Sequence, residues 1–496
     1  MKSILQYAIY FSNVKMRKLL SFIIHFNAYK NGTEGNADLS ESEKINLFST
    51  LKKYNRSRPL GPAKAVCYAP ERSIYFGFGG KVVPCCFNRD YSYGHYPDEN
   101  IDDIIQGNAR VKLQQRLQNN DFSHGCNHCR SQILAGNFQG VEARLYDTLK
   151  KNKSGFPAEM IFELDHTCNL ECTMCNGTFS SAILKNRENA VSSPSAYGSE
   201  FINQLQPYLK HLQLAKFLGG EPFLIKRYYE IWEMLIEQNP DCFINLQTNG
   251  TVYNQHIEDL LKRGRFQIGV SIDSLHHKRF SEIRKNADLN EVLKNLEKFI
   301  KHTQRSGGFV NVSVCPMQQN WEEIPDMVNF CNSKNVFIYF NTVYNEGFSL
   351  QELDAGTLKK IITHYKNAEI NGRSYISRRN RRFFYDLLHQ VEVWYKLKSD
   401  IEQSLLPQWE YTQQSLLSTI KSKLSDDYPR FEAKLAYAVK ALPEKMMLSD
   451  HQKQVLEKVN KDVLIQVLQN ESSVQLKQRL CSFLVHSTFD LEALNQ

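Results

Sequence analysis

Three closely spaced cysteines are the residues of this sequence best suited to metal or redox chemistry. They lie in the segment HTCNLECTMC at 166–175, where three and then two residues separate Cys168, Cys172 and Cys175. Thiolates at this spacing can bind three irons of a 4Fe-4S cluster. Because the segment has no fourth cysteine, one iron would stay open to another ligand. A structural zinc or iron-sulfur site completed by a distant cysteine is the alternative that spacing alone leaves open.

A second set of cysteines lies upstream of the first. Its members are Cys67, Cys85, Cys126 and Cys129. The segment RSIYFGFGGKVVPCC at 72–86 predicts a hairpin around a Gly79-Gly80 turn, which would bring the first two of these cysteines to one end. Four converging thiolates form a closed tetrahedral site that suits either zinc or a second iron-sulfur cluster. Cys86 is then either a spare buried thiol or an alternative ligand to Cys85.

Cysteine usage and charge limit the class of protein. Eight of the twelve cysteines fall between Cys67 and Cys175, and no secretion signal is evident. Both observations favour metal sites over disulfides, and they predict that the protein lies in the reducing cytoplasm. Lys and Arg exceed Asp and Glu by 61 to 53, and we recognise no compact basic block, so no nucleic-acid partner is expected. No stretch predicts a transmembrane helix. The other cysteines are expected to be core residues without a role: Cys242, Cys315, Cys331 and Cys481.

A chain of 496 residues is too long for one ordinary compact unit, and its patterns divide it into four parts. Residues 1–63 predict an amphipathic helix over the first 26 residues and then a flexible, turn-rich connection over 33–63. Residues 64–150 form a small cysteine-rich module. Residues 151–348 alternate strands and helices, and residues 349–496 have almost only helical patterns.

Six short apolar runs alternate with helical patterns in the third part. They are EMIFEL at 159–164, LQLAKFL at 212–218, CFINLQ at 242–247, FQIGVSI at 266–272, VNVSVC at 310–315 and VFIYFN at 336–341. Such alternation predicts parallel βα units with right-handed crossovers. The predicted fold class is α/β: a partial (β/α)6 TIM-like barrel with a small cysteine-rich N-terminal module and an all-helical C-terminal region. Chemistry in such barrels lies at the carboxyl ends of the strands, and the Cys168 segment follows the first one.

The cysteine triplet, together with motifs after the later strands, resembles the radical S-adenosylmethionine (radical SAM) superfamily. The resemblance implies that the open iron binds S-adenosylmethionine, which is cleaved to a 5'-deoxyadenosyl radical that takes hydrogen from a substrate. It also implies twelve cofactor-binding residues: Met174, Gly219, Gly220, Glu221, Pro222, Thr248, Asn249, Ser271, Asp273, Arg284, Asn320 and Val343. Among them the GGEP segment would hold the methionine amino group and Arg284 the methionine carboxylate.

The upstream cysteines resemble the SPASM/twitch module, which carries auxiliary 4Fe-4S clusters. The resemblance lies in the C-x12-G-x4-C spacing of Cys67, Gly80 and Cys85. It implies a second 4Fe-4S cluster in preference to zinc, and five cysteines fit the one-cluster form. Relatives commonly carry the module after the barrel, whereas here it precedes the barrel.

The resemblance leaves the substrate open. Oxidative modification of a peptide, by cross-linking, thioether formation or epimerisation, is the first hypothesis, and dehydrogenation or epimerisation of a small polar metabolite is the alternative. A nucleic-acid-modifying enzyme and a non-catalytic metal-binding scaffold fit less well. An electron donor such as flavodoxin or ferredoxin is the implied partner.

Overall fold

The structure of the protein is a computed structural model that describes residues 41–153, 155–345, 347–403, 409–448, 453, 456–457 and 459–486. The amphipathic helix expected over the first 26 residues lies outside the described residues. None of the helices in the described ranges is both long and apolar enough to cross a membrane.

The strands of the described chain form one large sheet and one small one. They are β1 Ser73–Phe76, β2 Lys81–Val83, β3 Gly94–His95, β4 Glu159–Phe162, β5 Leu214–Phe217, β6 Phe243–Thr248, β7 Arg265–Ser271, β8 Phe309–Val314, β9 Phe337–Phe340, β10 Trp409–Thr412 and β11 Lys445–Leu448. The large sheet has nine strands in the order β3-β2-β1-β4-β5-β6-β7-β8-β9, and β4 to β9 are parallel neighbours. All six predicted strands are therefore present, and the α/β class is confirmed.

Helices connect and flank these strands. They are α1 Glu41–Ser57, α2 Ala69–Arg72, α3 Ile101–Gln106, α4 Asn108–Gln118, α5 Asn127–Leu134, α6 Ser181–Asn186, α7 Ser199–Leu209, α8 Lys226–Gln238, α9 Gln255–Arg263, α10 His277–Ile283, α11 Leu289–Thr303, α12 Ile324–Ser333, α13 Ala355–Asn367, α14 Tyr375–Gln403, α15 Gln413–Leu424, α16 Tyr428–Lys440, α17 Lys461–Asn470 and α18 Ser473–His486. In α8, Tyr228, Ile231, Trp232 and Leu235 recur at helical spacing and are all buried.

Strand alternation separates an apolar face from a polar one. In β6, Ile244 and Leu246 are buried in the main core, whereas Asn245 and Gln247 on the opposite face are only partly buried. The register continues this polar face across the sheet, since Asn245 pairs with Lys216 on β5 and with Gln267 on β7. The sheet thus presents a polar inner face, away from the helices.

The cysteine-rich segment is not a separate unit of structure. Its first strand, β1, pairs in parallel with β4, with Tyr75 opposite Ile161, and β2 and β3 continue the sheet beyond it. The predicted hairpin is present, but it adds a seventh parallel strand to the barrel sheet. This pairing joins parts of the chain about 86 residues apart, which local sequence patterns do not encode.

The expected flexible connection at 33–63 is wrong for most of its length, because Glu41–Ser57 is the helix α1. Leu47 and Tyr54 lie two turns apart on one face of it and are buried in the main core. Arg58, just after α1, forms a buried ion pair with Asp147 that holds this end of the chain on the module.

The C-terminal region is helical as predicted, with one exception and a different division. Two short antiparallel strands, β10 and β11, interrupt the helices. The buried apolar side chains from Leu358 on α13 to Trp394 on α14 belong to the main core, whereas a second core begins at Leu416. Packing therefore divides the chain between α14 and β10, after the boundary drawn at 348.

Candidate active site

The cysteine triplet lies in the loop that follows β4. The amide of Glu171 donates to the carbonyl of Lys285 (3.2 Å) and that of Thr173 to the carbonyl of Ile283 (2.9 Å), which fixes the loop against the end of α10. Burial raises the pKa of all three thiols, that of Cys175 to about 12. Three such thiols would ionise more readily once a cationic iron centre is bound.

Two glycines after β5 allow that loop to touch the cysteine loop through backbone atoms. Gly219 and Gly220 both have positive φ, +82° and +40°. A Cβ on Gly219 would lie 2.3 Å from the carbonyl oxygen of Asp165, and one on Gly220 2.1 Å from that of Thr167. Only glycine fits at either position.

Glu221 connects the loops after β4, β5 and β6. It is fully buried, and its carboxylate accepts hydrogen bonds from Thr248 Oγ1 (2.8 Å) and from the amide of Asn249 (2.7 Å). Its own amide donates to the carbonyl of Thr167 (2.8 Å). Burial raises the pKa of Glu221 to about 7, although its hydrogen bonds act in the opposite direction. A cationic ligand beside it would favour the ionised form.

Arg284 and Asp273 form a buried ion pair beside the cysteines. Arg284 Nε lies 2.8 Å from Asp273 Oδ2, and Arg284 Nη1 lies 3.8 Å from Cys172 Sγ. The amide of Cys315 donates to Asp273 Oδ1 (2.7 Å), and Asn320 Nδ2 donates to the Asp273 carbonyl (2.7 Å). Both carboxylate oxygens of Asp273 are thus engaged by the protein, so Asp273 positions Arg284.

The remaining predicted cofactor residues border the same region. Met174 packs with the buried Val343 in a small apolar cluster that also includes Cys315. Ser271 Oγ accepts a hydrogen bond from Gln247 Nε2 (2.7 Å) at the end of β7. Pro222 begins a short 3₁₀ turn after Glu221. The structure therefore places these residues at or just after the carboxyl ends of β4 to β9, except Arg284, which follows α10.

The four upstream cysteines lie close to one another. All of them line one cavity in the N-terminal module: Cys67, Cys85, Cys126 and Cys129. Cys86 is not among the residues lining it, and its thiol lies 3.6 Å from Glu142 Oε1. The geometry therefore groups Cys85, rather than Cys86, with the other three.

N–H groups point at these four sulfurs. The amide of Ala69 donates to Cys67 Sγ and the amide of Asn88 to Cys85 Sγ, both at 3.3 Å. Asn88 Nδ2 donates to Cys126 Sγ (3.3 Å), and the amide of Ala143 hydrogen-bonds Cys129. Such donors stabilise electron-rich sulfur and tune iron-sulfur clusters.

The spacing of the cysteines bears on which group they could hold. Among the described residues, no three His, Cys, Asp or Glu side chains converge closely enough to bind a single metal ion. Tetrahedral zinc needs sulfurs about 2.3 Å from one point. Four thiols around one cavity are a donor set that either zinc or an iron-sulfur cluster can use.

Comparison with known proteins identifies both segments. Residues 163–331, from the end of β4 into α12, match the sequence model of the radical SAM superfamily, and they contain the whole cysteine triplet. Residues 67–130 match that of SPASM, an iron-sulfur cluster-binding domain. The chain therefore contains a segment of the radical SAM type and, before it, a segment of the SPASM type. Its cofactors are S-adenosylmethionine and a 4Fe-4S cluster, and SPASM adds auxiliary iron-sulfur binding.

Curated relatives of this chain include two proteins named GTP 3',8-cyclase. The one from Synechocystis sp. is 31% identical over 187 residues, which is 38% of this chain and 54% of the relative. That of Clostridium botulinum is 25% identical over 174 residues, 35% of this chain and 52% of the relative. The chain spans about half the length of the curated relatives it matches.

Solved structures with some similarity include anSMEcpe with bound AdoMet, at 18% identity and a TM-score of 0.32. The match covers 42% of this chain and 58% of that one. Streptococcus suis SuiB bound to precursor peptide SuiA is 17% identical with a TM-score of 0.31, over 48% and 51% of the two chains. TM-scores this low do not establish a shared fold.

Sequence reasoning missed three residues that build these sites. Cys315 acts through its backbone, whose amide donates to Asp273, while its thiol keeps the expected absence of a role. Asn345 Nδ2 donates to the carbonyl of Met174 (2.9 Å), and Asn88 contacts two auxiliary cysteines. The sequence offered one signal for Asn88, which lies two residues after the Cys85-Cys86 pair. The roles of Cys315 and Asn345 depend on tertiary contacts that no local pattern predicts.

Replacement of Gly220 by alanine should disrupt the active site. The new Cβ would meet the Thr167 carbonyl, so we expect a loss of about 3 kcal/mol or more in unfolding free energy together with loss of cofactor binding. Gly136→Ala is the control, since Gly136 also has positive φ (+72°) but nothing within 4 Å of its Cβ position. That variant should lose only about 1 kcal/mol and keep cofactor binding. Equal losses in urea unfolding would contradict this account.

Asn88→Asp should impair the auxiliary site alone. Asn88 is buried, its Nδ2 also donates to the His124 carbonyl (2.7 Å), and Gly125 has no Cβ to collide with its Oδ1. The substitution turns an N–H donor into a carboxylate oxygen facing sulfur, so the reconstituted protein should lose about four of about eight irons. Asn239→Asp, at a carbonyl-binding asparagine remote from both sites, should keep them all. Unchanged iron content and electron paramagnetic resonance spectra in Asn88→Asp would contradict the prediction.

Proposed function

We propose that this radical SAM enzyme holds a 4Fe-4S cluster on Cys168, Cys172 and Cys175 and oxidatively modifies a peptide. When bound, the cluster and S-adenosylmethionine would supply one-electron chemistry that yields a 5'-deoxyadenosyl radical able to take hydrogen from the substrate. The chain's own residues bind and orient the reactants and exclude water. An electron donor such as flavodoxin or ferredoxin would be the partner.

The observation that carries the proposal is the direct contact of the cysteine loop with the loops after β5 and β6 and with the end of α10. Gly220 lies against Thr167, Asn249 Nδ2 donates to Asn169 Oδ1 (2.9 Å), and Arg284 reaches Cys172. A ligand on an open iron would therefore meet a buried carboxylate on one side and a guanidinium on the other. An amino acid end carrying both an amine and a carboxylate fits that pair.

The proposed roles of the contacts follow from their charges. Glu221, fully buried, would accept the cofactor's amino group, and the carbonyl oxygens near Gly219 would assist it. Arg284, held by Asp273, would donate to the cofactor's carboxylate. The polar strand ends would face the nucleoside, with Met174 and Val343 as apolar neighbours: Thr248, Asn249, Ser271 and Asn320.

The auxiliary cysteines would hold a second 4Fe-4S cluster. The support is the shared cavity of Cys67, Cys85, Cys126 and Cys129 and the N–H donors to their sulfurs. Four protein thiolates would leave no iron open, so this cluster suits electron transfer or the shaping of the pocket better than substrate chelation.

The inner face of the sheet favours an uncharged substrate group over a phosphate. Lys216 Nζ lies 2.8 Å from Glu159 Oε1, and Arg89 Nη2 lies 2.9 Å from Glu163 Oε2, so both cations already have carboxylate partners. Gln247 bonds Ser271 and Ser313 across β6 to β8, which gives a neutral wall of amide and hydroxyl groups. Such a wall matches a peptide backbone, whereas a triphosphate needs unpaired cations.

Anaerobic reconstitution tests the enzyme class. We expect about eight irons per chain, and 5'-deoxyadenosine on reduction in the presence of S-adenosylmethionine. Replacing Cys168, Cys172 and Cys175 together by alanine should remove about four irons and abolish 5'-deoxyadenosine. Cys481→Ser, in the separate C-terminal core, is the control and should match the unmodified chain. One zinc per chain and no cleavage product would exclude the proposal.

GTP should not be a substrate, despite the names of the curated relatives. We expect calorimetry of the reconstituted enzyme to give a dissociation constant for GTP weaker than about 1 mM, since Lys216 and Arg89 already have carboxylate partners. Glu163→Gln would leave Arg89 without its carboxylate and should tighten binding of inorganic triphosphate. Micromolar GTP binding that stimulates 5'-deoxyadenosine formation would favour the nucleotide alternative instead.

A further inference from the structure

Two buried tyrosines near the auxiliary cysteines have hydroxyl groups without a hydrogen-bond partner. Tyr54 is fully buried and Tyr93 is 4% exposed, and neither hydroxyl oxygen is bonded to any of the described residues. Buried polar groups in folded proteins are nearly always hydrogen-bonded, so each exception needs a physical reason. An acceptor that the described polypeptide does not supply would be such a reason.

Tyr54 lies between the segments that carry two of the four cysteines. It belongs to α1, which packs against α5, the helix whose first turn contains Cys129. Just after α1, Arg58 Nη1 donates to the carbonyl of Ala65 (2.6 Å), two residues before Cys67. Burial raises the pKa of Tyr54, and the charges of Cys67 and Cys129 act in the same direction. Both sulfurs are therefore close to its hydroxyl.

Tyr93 lies close to the other cysteines. Its amide donates to the carbonyl of Val82 (2.8 Å), which closes the loop that begins at Pro84 and contains Cys85. Burial raises the pKa of Tyr93 well above its ordinary value. The charges of three auxiliary cysteines act in the same direction, namely those of Cys85, Cys67 and Cys126. The hydroxyls of Tyr54 and Tyr93 together thus lie near all four cysteines.

Metal-bound sulfur is the acceptor that this cavity would provide. A neutral thiol accepts hydrogen bonds only weakly. Thiolates on iron and the sulfides of a cluster are richer in electrons, and donors around them are a common means of tuning the cluster. The N–H groups of Ala69, Asn88 and Ala143 already surround these sulfurs. Two O–H groups would complete the same shell of donors.

A buried tyrosine without a partner is not by itself a sign of a ligand. Tyr365 on α13 is also buried, and its hydroxyl also lacks a partner among the residues that the structure describes. Burial alone raises its pKa, without a contribution from the auxiliary cysteines. Tyr54 and Tyr93 differ from it in their position beside a cavity lined by four thiols. Tyr365 is therefore a matched control.

We propose that the hydroxyls of Tyr54 and Tyr93 donate hydrogen bonds to the auxiliary cluster and raise its reduction potential. The inference rests on the proposed second 4Fe-4S cluster. Reduction makes the cluster more negative, so a donor to its sulfurs stabilises the reduced form more than the oxidised form. The two tyrosines would thus make this cluster easier to reduce.

Tyrosine-to-phenylalanine variants test the potential, because they remove only the hydroxyl. They are made in the full chain with the three active-site cysteines replaced by alanine, so that the auxiliary cluster alone gives the signal. Redox titration is followed by electron paramagnetic resonance. We expect Tyr54→Phe with Tyr93→Phe to disfavour reduction about tenfold, a shift of about 59 mV to more negative potential for one electron. Tyr365→Phe should leave the potential unchanged.

Unfolding and metal release give a second readout on the same variants. Without a bound acceptor the hydroxyls stabilise nothing, so Tyr54→Phe and Tyr93→Phe should keep or raise the urea midpoint of the metal-free chain. Both should release iron to a chelator at least about threefold faster than the chain that keeps its tyrosines. A lower urea midpoint in the metal-free variants would mean that the hydroxyls already bond protein or water, and would overturn the proposal.

The outcome is separable from that of the proposed function. Zinc in place of iron on the four cysteines would overturn the auxiliary cluster, while faster zinc release from Tyr54→Phe and Tyr93→Phe would still show bonding to metal-bound sulfur. About four irons, with potential and iron release unchanged in both variants, would leave the cluster standing and overturn the role of the hydroxyls.

Discussion

The active site depends on the close approach of two backbone segments. The carbonyl groups of Asp165 and Thr167 lie where side chains at Gly219 and Gly220 would have to be, so the loops after β4 and β5 meet without intervening atoms. That contact places Glu221 beside the cysteine loop, and Glu221 in turn holds Thr248 and the Asn249 amide. The close contact between the loops after β4 and β5 therefore also fixes the position of the loop after β6.

Charge pairing organises the rest of the inner face. Asp273 orients Arg284 beside Cys172, while Glu159 and Glu163 neutralise Lys216 and Arg89. Buried ions in such pairs contribute little net stability, because desolvation offsets their attraction, but leaving one of them unpaired is strongly unfavourable. These ion pairs therefore orient their side chains more than they stabilise the fold. The pair with Asp273 fixes the direction in which Arg284 can bind a ligand.

Local sequence patterns predicted the strands and helices, which form from residues close together in the chain. All six apolar runs are strands β4 to β9, because a short strand inside a covered sheet is itself a run of mostly apolar residues. The pairing of β1 with β4 depends on contact between segments distant in sequence, and no periodic pattern of apolar residues predicts it. The helix at Glu41–Ser57 was missed because turn-rich residues flank it on both sides. Asn88 acts through two sulfurs brought together only by folding.

The pairing of β1 with β4 has a consequence for the independence of the two cysteine sites. Neighbouring strands lie about 4.8 Å apart and are held by a continuous ladder of hydrogen bonds. The module that carries Cys67 and Cys85 therefore cannot move as a hinged domain relative to the Cys168 loop without breaking the sheet. Nor can it be removed or transplanted freely, because β4, with the buried Met160 and Phe162, would become an exposed edge prone to pairing with other chains. The two sites are therefore parts of one rigid frame, and a shift of either strand would displace both.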